Sequence, residues 1–342
     1  MRRKENSTLV SLLRHKEASL ALMIILLMAV ITMANVSFLT YGNINDILRS
    51  YSVHGIVAMG MLLVIITSGI DVSVGSMAAA VTVIVGRLLV ASGGNILFAL
   101  FVGCISGIVL GLVNGFFIAK LRIPAIVVTL GTLNIFRGAE LYVTGGSWIT
   151  GLPEGFIEFG KYKFLGIPVQ TLVWLVVGVM TYLILNYTKT GRGVYAIGGN
   201  IDAAKRVGYH PDRIQLFVWG YLGLTVGIAS VMHTSIVRHV DPNAFSSFEL
   251  IVIAACVLGG ANIFGGEGSV LGTFLGVFIL AVIENGLIMA RVSSYGHQVF
   301  VGVAILVAVS IDVLKAKRQE QEYAVIEVCM DTKRFNVGGG EQ

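Results

Sequence analysis

Charge is scarce in this chain: Asp, Glu, Lys and Arg make up 13% of its 342 residues, against about 25% in an ordinary water-soluble domain. So few charged groups cannot clothe a folded surface for water. Proline is scarcer still, with five residues in all, and no low-complexity linker divides the chain. The three cysteines, Cys104, Cys256 and Cys329, have no metal-ligand spacing, and two lie in apolar runs where a thiol behaves as a small hydrophobe. Reduced thiols without catalytic duty are expected. No set of His, Asp and Glu has the spacing of a metal or catalytic centre, which leaves a membrane-embedded enzyme without machinery. A net charge of +5 does not mark a nucleic-acid binder, because the basic residues sit in short segments between apolar runs and no nucleic-acid motif accompanies them.

What is present is apolar surface and glycine: 56% of residues are hydrophobic and 42 are glycine, a pattern suited to helices packed backbone against backbone in lipid. The stretches free of charge are long enough to span hydrocarbon, which takes about 20 helical residues. They predict an all-α, polytopic membrane protein with ten spans, near Ser19–Leu39, Tyr51–Ile70, Val72–Leu89, Ile96–Ala119, Ile123–Tyr142, Val169–Tyr187, Ile214–Val237, Leu250–Leu258, Gly268–Met289 and Gln298–Leu314. The first is read as a retained helix and not a cleaved signal peptide, since no small-x-small site follows it. With the N-terminus inside, cytoplasmic segments hold 17 of the 24 Lys and Arg: five before the first span, Lys120 and Arg122, five between Lys189 and Arg213, and five from Lys315 onward. That asymmetry is the positive-inside signature and puts both termini in the cytoplasm. The organisation expected is a cytoplasmic segment 1–18, a membrane domain 19–314 with a cytoplasmic loop 188–213, and a cytoplasmic tail 315–342.

Four charge-free runs, Val72–Gly86, Ile123–Phe136, Leu250–Gly266 and Gly268–Ile283, look short for a full crossing, and Gly-broken segments at matching places in two halves point to a transporter's pathway. The octets Asn114–Leu121 and Asn285–Val292 resemble one another and should end on opposite sides of the membrane, as an inverted repeat requires. Gly103, Gly107, Gly111 and Gly115 form a ladder on one helix face, and Gly268, Gly272 and Gly276 a second. Small residues at that spacing serve close helix packing.

Ser68–Ser76 reads SGIDVSVGS and sets a carboxylate and several hydroxyls between apolar runs. An ionisable group there costs several kcal/mol unless it faces protein, water or a partner. For Asp71, a cap accepting from the amides of Ser73 or Val74 is favoured over contact with a solute. Arg137, Glu140 and Glu284 fall under the same rule, and Arg137 and Glu140 are spaced to pair on one helix face. Candidate pathway residues are Asp71, Ser73, Ser76, Asn114, Glu140, Asn262 and Glu284. In the loop Lys189–Arg213, Asn200 can cap a short helix that holds Asp202 in its first turn, Lys205 and Arg206 in its last, and Gly208 as its left-handed C-terminal residue. The Gly265–Thr273 run lacks the lysine of a phosphate loop, so this chain is not expected to hydrolyse ATP.

Three motifs together, SGIDVSVGS, Gly193–Asn200 continuing to Ala203, Ala204 and Gly208, and Val257–Gly260 running to Gly265–Ser269, resemble the ribose-type permeases of bacterial ATP-binding-cassette importers, over roughly Leu39–Leu314. The resemblance implies a non-catalytic permease in the cytoplasmic membrane that imports a monosaccharide or a relative of one. Its partners would be a second permease subunit, alike or paralogous, a cytoplasmic ATP-binding subunit that carries ATP and Mg²⁺, and an extracytoplasmic solute-binding protein. No cofactor is expected on this chain. The short helix would then couple to the ATPase through Gly193, Ala196, Gly198, Asn200, Ala203, Ala204 and Gly208. The string Thr144–Pro153 is similar to permeases of autoinducer-2 importers and rhamnose systems, although Trp148 in it could be an interfacial anchor. The alternative class is an ion-coupled secondary transporter, for which Asp71 or Glu284 would be the coupling carboxylate.

Overall fold

Four of the five prolines stand at helix starts, where a missing N–H costs nothing: Pro124, Pro153 and Pro168 each precede a helix and Pro211 opens one. The computed structural model describes residues 16–292 together with Gly296, Val299, Gly302, Val303 and Leu306. Among these residues the chain forms twelve α-helices: α1 Lys16–Ala34, α2 Tyr41–Ile66, α3 Val74–Ser92, α4 Ile96–Ala119, α5 Ala125–Thr144, α6 Glu154–Lys161, α7 Val169–Tyr187, α8 Lys189–Gly199, α9 Ile201–Arg206, α10 Pro211–Val237, α11 Phe248–Leu258 and α12 Val270–Met289. A 3₁₀ turn, Val36–Leu39, joins α1 to α2. The only strands among the described residues, β1 Lys163–Phe164 and β2 Ile167–Pro168, make a two-residue antiparallel hairpin.

Eight of these helices are long and apolar enough to cross a membrane, namely α1 to α5, α7, α10 and α12. The chain is an all-α polytopic membrane protein. Two sequence expectations need correction. Of the runs that looked short, three belong to full-length helices, α3, α5 and α12 at 19, 20 and 20 residues, and only α11, at 11, is too short to span. The second span also begins earlier than expected. Arg49 lies within α2 and donates to the Gly160 carbonyl at 2.7 Å, so a cation that sequence placed in a loop is held inside the helix. Most of the expected tenth span Gln298–Leu314, the segment 1–15, the tail 315–342 and Cys329 lie outside the described residues.

The centre of the bundle is α2 and α10, the most buried of the long helices. Against α10 packs α4, whose Leu97, Phe101, Ile105 and Val109 point outward while Gly103, Gly107, Gly111 and Gly115 are buried. A Cβ on Gly103 would stand 2.6 Å from Val231 Cγ2, one on Gly107 2.9 Å from Gly227 N and one on Gly111 3.0 Å from Gly223 Cα. The ladder therefore does what its spacing predicts: it lets two backbones touch, and the contact supplies dispersion that lipid cannot. Its counterpart on α10 is Trp219, Gly223 and Gly227. The second ladder sets Gly272 and Gly276 against Ala255 and Gly259, which ties α12 to the short α11.

Long-range contacts show which helix ends lie together. At the Ile66 end of α2, Gly266 N donates to Ile66 O at 2.9 Å, Ser269 Oγ to Glu17 Oε1 at 3.3 Å, and Lys120 lies 3.6 Å from Asp212. At the Tyr41 end, Tyr41 Oη donates to Gly166 O at 2.7 Å and Asn43 exchanges two 2.9 Å amide bonds with Asn285. So the start of α1, the α4–α5 connection, α8 with α9, and the start of α12 share one end. The α5–α6 loop, the hairpin and the end of α12 share the other. Asn114 bonds near the finish of α2 and Asn285 near its start, and 26 residues of helix separate these by about 39 Å. The two similar octets thus sit at opposite ends of the bundle, as the inverted-repeat reading requires.

Candidate functional site

Between α2 and α3 the helix is broken over residues 67–73, and the break turns the chain's polar groups inward. Asp71 is fully buried. Its Oδ1 accepts from Ser73 N at 2.7 Å and from Ser73 Oγ at 2.6 Å, and its Oδ2 accepts from Asn114 Nδ2 at 3.4 Å. Asn114 Nδ2 also donates to Ser73 Oγ at 2.9 Å, and Ser76 Oγ donates to Ser73 O at 2.9 Å. The expected bond to the Ser73 amide is present, but the residue that caps α3 is Ser73, so Asp71 braces the turn two residues before the cap and is not itself the helix cap. Each donor offsets part of the cost of burying a carboxylate in an apolar bundle, and together they make that burial tolerable. Asn114 lies five residues before the end of α4, so the node sits about 8 Å inside the Ile66 end and not at mid-depth.

The other pathway candidates lie elsewhere. Glu140 is buried beside Arg137, whose Nη1 is 2.7 Å from Glu140 Oε1 and donates to Pro242 O at 2.9 Å. This pair, predicted from its spacing, clips α5 to the loop 238–247. Asn262 closes the turn 262–265, where its Oδ1 accepts from Phe264 N at 2.9 Å and its carbonyl from Gly265 N at 2.9 Å. Glu284 is partly exposed on α12, next to the Asn285–Asn43 pair at the Tyr41 end. Of the seven residues, only Asp71, Ser73, Ser76 and Asn114 come together.

The loop 188–213 contains two helices where the sequence suggested one. Thr188 caps α8 by accepting from Gly191 N at 2.9 Å. Asn200 then breaks the chain, with its backbone extended and its Oδ1 accepting from Asp202 N at 3.0 Å and Ala203 N at 2.9 Å. Lys205 pairs with Asp202 at 3.1 Å, and Gly208 takes φ +89°. The expected caps are all in place, and the helix between them runs six residues. Gly193 is buried against Ile214 and Tyr209, Ala196 lies on the same helix, and Ala204 is buried whereas Ala203 is exposed.

Sequence reasoning missed where α8 rests. A Cβ on Gly198 would overlap Ile66 O and stand 2.8 Å from Gly266 N. Ser68 Oγ donates to Phe264 O at 2.8 Å, and Tyr195 Oη donates to Gly268 O at 2.8 Å. All three sequence motifs therefore meet at one backbone-to-backbone junction, a few residues from Asp71. The shared glycines were the signal, since only glycine permits contacts this close.

Two clefts flank the node. One, of about 330 Å³, opens at the Ile66 end between Thr67–Gly69, Arg122, Lys205 and Asp212. The other, of about 310 Å³, lies toward the Tyr41 end between α2, α10 and α11. Between them, a Cβ on Gly75 would stand 2.6 Å from Glu249 Oε2 and 2.7 Å from Phe245 O. Among the described residues no group of three or more His, Cys, Asp and Glu could hold a metal.

A bundle of apolar spans with a buried polar node between opposed clefts is the architecture of a membrane transport permease. The chain belongs to the family described as branched-chain amino acid transport system / permease component, which matches residues 43–309. It is 39% identical over 289 residues to the ribose import permease protein RbsC of Bacillus subtilis (strain 168), covering 84% of this chain and 89% of that one. It is 36% identical to RbsC of Escherichia coli (strain K12), covering 84% and 91%. The autoinducer 2 import system permease protein LsrC of Enterobacter sp. (strain 638) is 34% identical, covering 88% of each chain. No solved structure matches the chain.

Proposed function

We propose that this chain is the permease subunit of an ATP-binding-cassette importer that carries a monosaccharide or sugar-like solute inward across the bacterial cytoplasmic membrane. The observation that carries the substrate class is the 39% identity to a ribose import permease over nearly the whole of both chains. The family description names branched-chain amino acids, but full-length relatives at this identity bear more directly on the cargo. The chain itself hydrolyses nothing. ATP and Mg²⁺ act on a cytoplasmic ATP-binding subunit, an extracytoplasmic binding protein delivers the solute, and a second permease subunit completes the pathway.

The Ile66 end faces the cytoplasm in this reading, because it carries Lys120, Arg122, Lys189, Arg192, Lys205, Arg206 and Arg213. There α9 is the element that docks on the ATPase. Its exposed Ile201 and Ala203, with Val207 just past its end, offer an apolar contact, and Gly193, Ala196, Gly198, Asn200, Ala204 and Gly208 shape the loop behind it. Movement of α9 reaches Asp71, Ser73 and Asn114 through the junction of Gly198 with Ile66 and Gly266. A rigid element with different contacts in two states is what coupling requires.

The test is uptake of radiolabelled ribose by vesicles containing this chain together with its ATP-binding subunit and its binding protein, with rhamnose and leucine as competitors. Uptake that needs ATP and is competed by sugars is expected. Uptake that persists without the ATPase and collapses with a protonophore would overturn the reading, as would leucine transport without sugar transport.

A further inference from the structure

The cleft toward the Tyr41 end is walled by an uninterrupted series of rings from three helices and the loop before α11. Tyr51 stacks on His54 at 4.9 Å, His54 lies 4.7 Å from Phe248, Phe248 meets Phe245 edge-on at 5.1 Å, and Phe245 lies 4.4 Å from His233. Tyr51 and His54 belong to α2, His233 to α10 and Phe248 to α11. His54, His233, Phe245 and Phe248 line the cleft together with the hydroxyls of Ser50 and Ser246. His54 and His233 place two imidazoles in the two most buried helices, where a polar ring costs more to bury than a leucine would.

The loop over this cleft is strained. Phe245 and Ser247 both hold left-handed backbone, with φ of 62° and 61°, a conformation that costs a non-glycine residue about 1–3 kcal/mol and gathers at ligand clamps. With that backbone, the Phe245 ring lies against His233 and the Phe245 carbonyl against Gly75, one residue before Ser76 of the polar node.

Ring faces with interspersed N–H, imidazole nitrogen and hydroxyl groups fit a polyhydroxylated ring, whose C–H faces stack while its hydroxyls both donate and accept. We propose that this cleft is the first solute station of the permease. In it His54 and His233 hydrogen-bond the hydroxyls of a sugar, and Phe245 and Phe248 cover its apolar face. The proposal rests on the sugar-import reading above and assigns it a place and residues. These groups act as binding and specificity residues, downstream of the binding protein and upstream of Asp71.

The experiment uses the full complex with its ATPase and binding protein, with radiolabelled ribose as probe. His233→Leu and Phe245→Ala should each lower vesicle uptake at least fivefold, while binding-protein affinity for ribose and the amount of assembled complex stay at wild-type values. In a second arm, Ser246→Cys is treated from outside with a membrane-impermeant thiosulfonate, and wild type treated alongside controls for the native cysteines. Uptake should fall at least fivefold relative to the same variant untreated, and ribose-loaded binding protein should slow the reaction. If wild type imports ribose yet all three changes leave uptake within twofold, the station is elsewhere and the import reading stands. If wild type imports no sugar at all, both readings fall. If His233→Leu and Phe245→Ala do not assemble, the thiosulfonate arm decides alone, since it modifies an already assembled complex.

Discussion

Gly198→Ala is the smallest change that tests the junction between α8 and the core. The added methyl would overlap the Ile66 carbonyl and lie 2.8 Å from Gly266 N and 2.9 Å from Ile66 C. All of these are backbone atoms, which cannot rotate aside. Overpacking of this kind costs about 1–3 kcal/mol. Relief by displacement breaks the 2.9 Å Gly266 N–H···O bond to Ile66, a further loss of about 0.5–1.5 kcal/mol. The expected cost is about 1.5–4.5 kcal/mol, taken where the loop meets the end of α2. Purified in detergent, Gly198→Ala should show a lower thermal midpoint, and in vesicles uptake should drop below a tenth of wild type. The neighbouring Gly199 has nothing within 4 Å of its Cβ position, so Gly199→Ala should keep both values. Gly131→Ala, in the open middle of α5 with nothing within 4 Å, should be neutral or slightly stabilising. A Gly198→Ala protein with wild-type midpoint and uptake would refute the junction as a mechanical contact. So would equal damage from Gly199→Ala.

Further outcomes follow from the same geometry. Ala203→Trp enlarges the exposed face of α9 and should reduce co-purification of the ATPase and uptake together, with midpoint unchanged. Ala204→Trp forces an indole into a buried site and should lower the midpoint as well, which separates docking from folding. Asn114→Leu removes the amide donor shared by Asp71 and Ser73 and should cost about 2–3 kcal/mol, read as a lower detergent midpoint; an unchanged midpoint would show that the node needs no third donor. Gly107→Val drives a branched side chain into the α10 backbone and should abolish accumulation in the membrane. Cysteines at Gly208 and Gly146 should label from opposite sides with an impermeant maleimide, and labelling of both from outside would sink the helix order given above.

Much of this was legible before the structure. Two spans, Ile96–Ala119 and Val169–Tyr187, were read to the residue, because a helix bounded by Asn95 or Pro168 announces its start and charge marks its end. The Asn200 cap, the Arg137–Glu140 pair and the glycine ladder are legible because each is a local pattern, of residues two to four apart on the chain. What escaped the sequence was long-range. Gly198 touches Ile66 and Gly266, and Glu249 touches Gly75; no periodicity carries such contacts. The histidines His54 and His233 stand in apolar runs and carry no motif that singles them out. Only the fold shows that they share a wall, and a single histidine in such a run is as readily a satisfied core residue.

The division between the two clefts shows where a pathway could open at least cost. A full-length helix cannot bend in lipid without exposing backbone groups that have no water to meet. Here the partition is made of what is not full-length helix: the 67–73 break, the loop 241–247, and α11 with its 11 residues. Their backbone groups already find partners in protein, such as the Thr129 hydroxyl on the Ile70 carbonyl and the Arg137 guanidinium on Pro242 and Ala244. In that partition Gly75 meets Glu249 and Phe245 across small surfaces, with no ion pair at Glu249 among the described residues. Widening it by one side chain would need only a shift of α11 against α3, and α11 is fastened to α12 through Gly259, Gly272 and Gly276. The start of α12 adjoins Gly266, the residue that bonds Ile66 beside Gly198. In the proposed coupling, two lines of contact would connect α8 to the partition, one through the end of α2 to Asp71 and one through the 264–268 turn to α11. Gly272→Ala, which lies on the second route alone, should reduce uptake while leaving the Asp71 node and ATPase docking intact. If instead uptake is unchanged while Gly198→Ala abolishes it, the stroke travels only by way of α2.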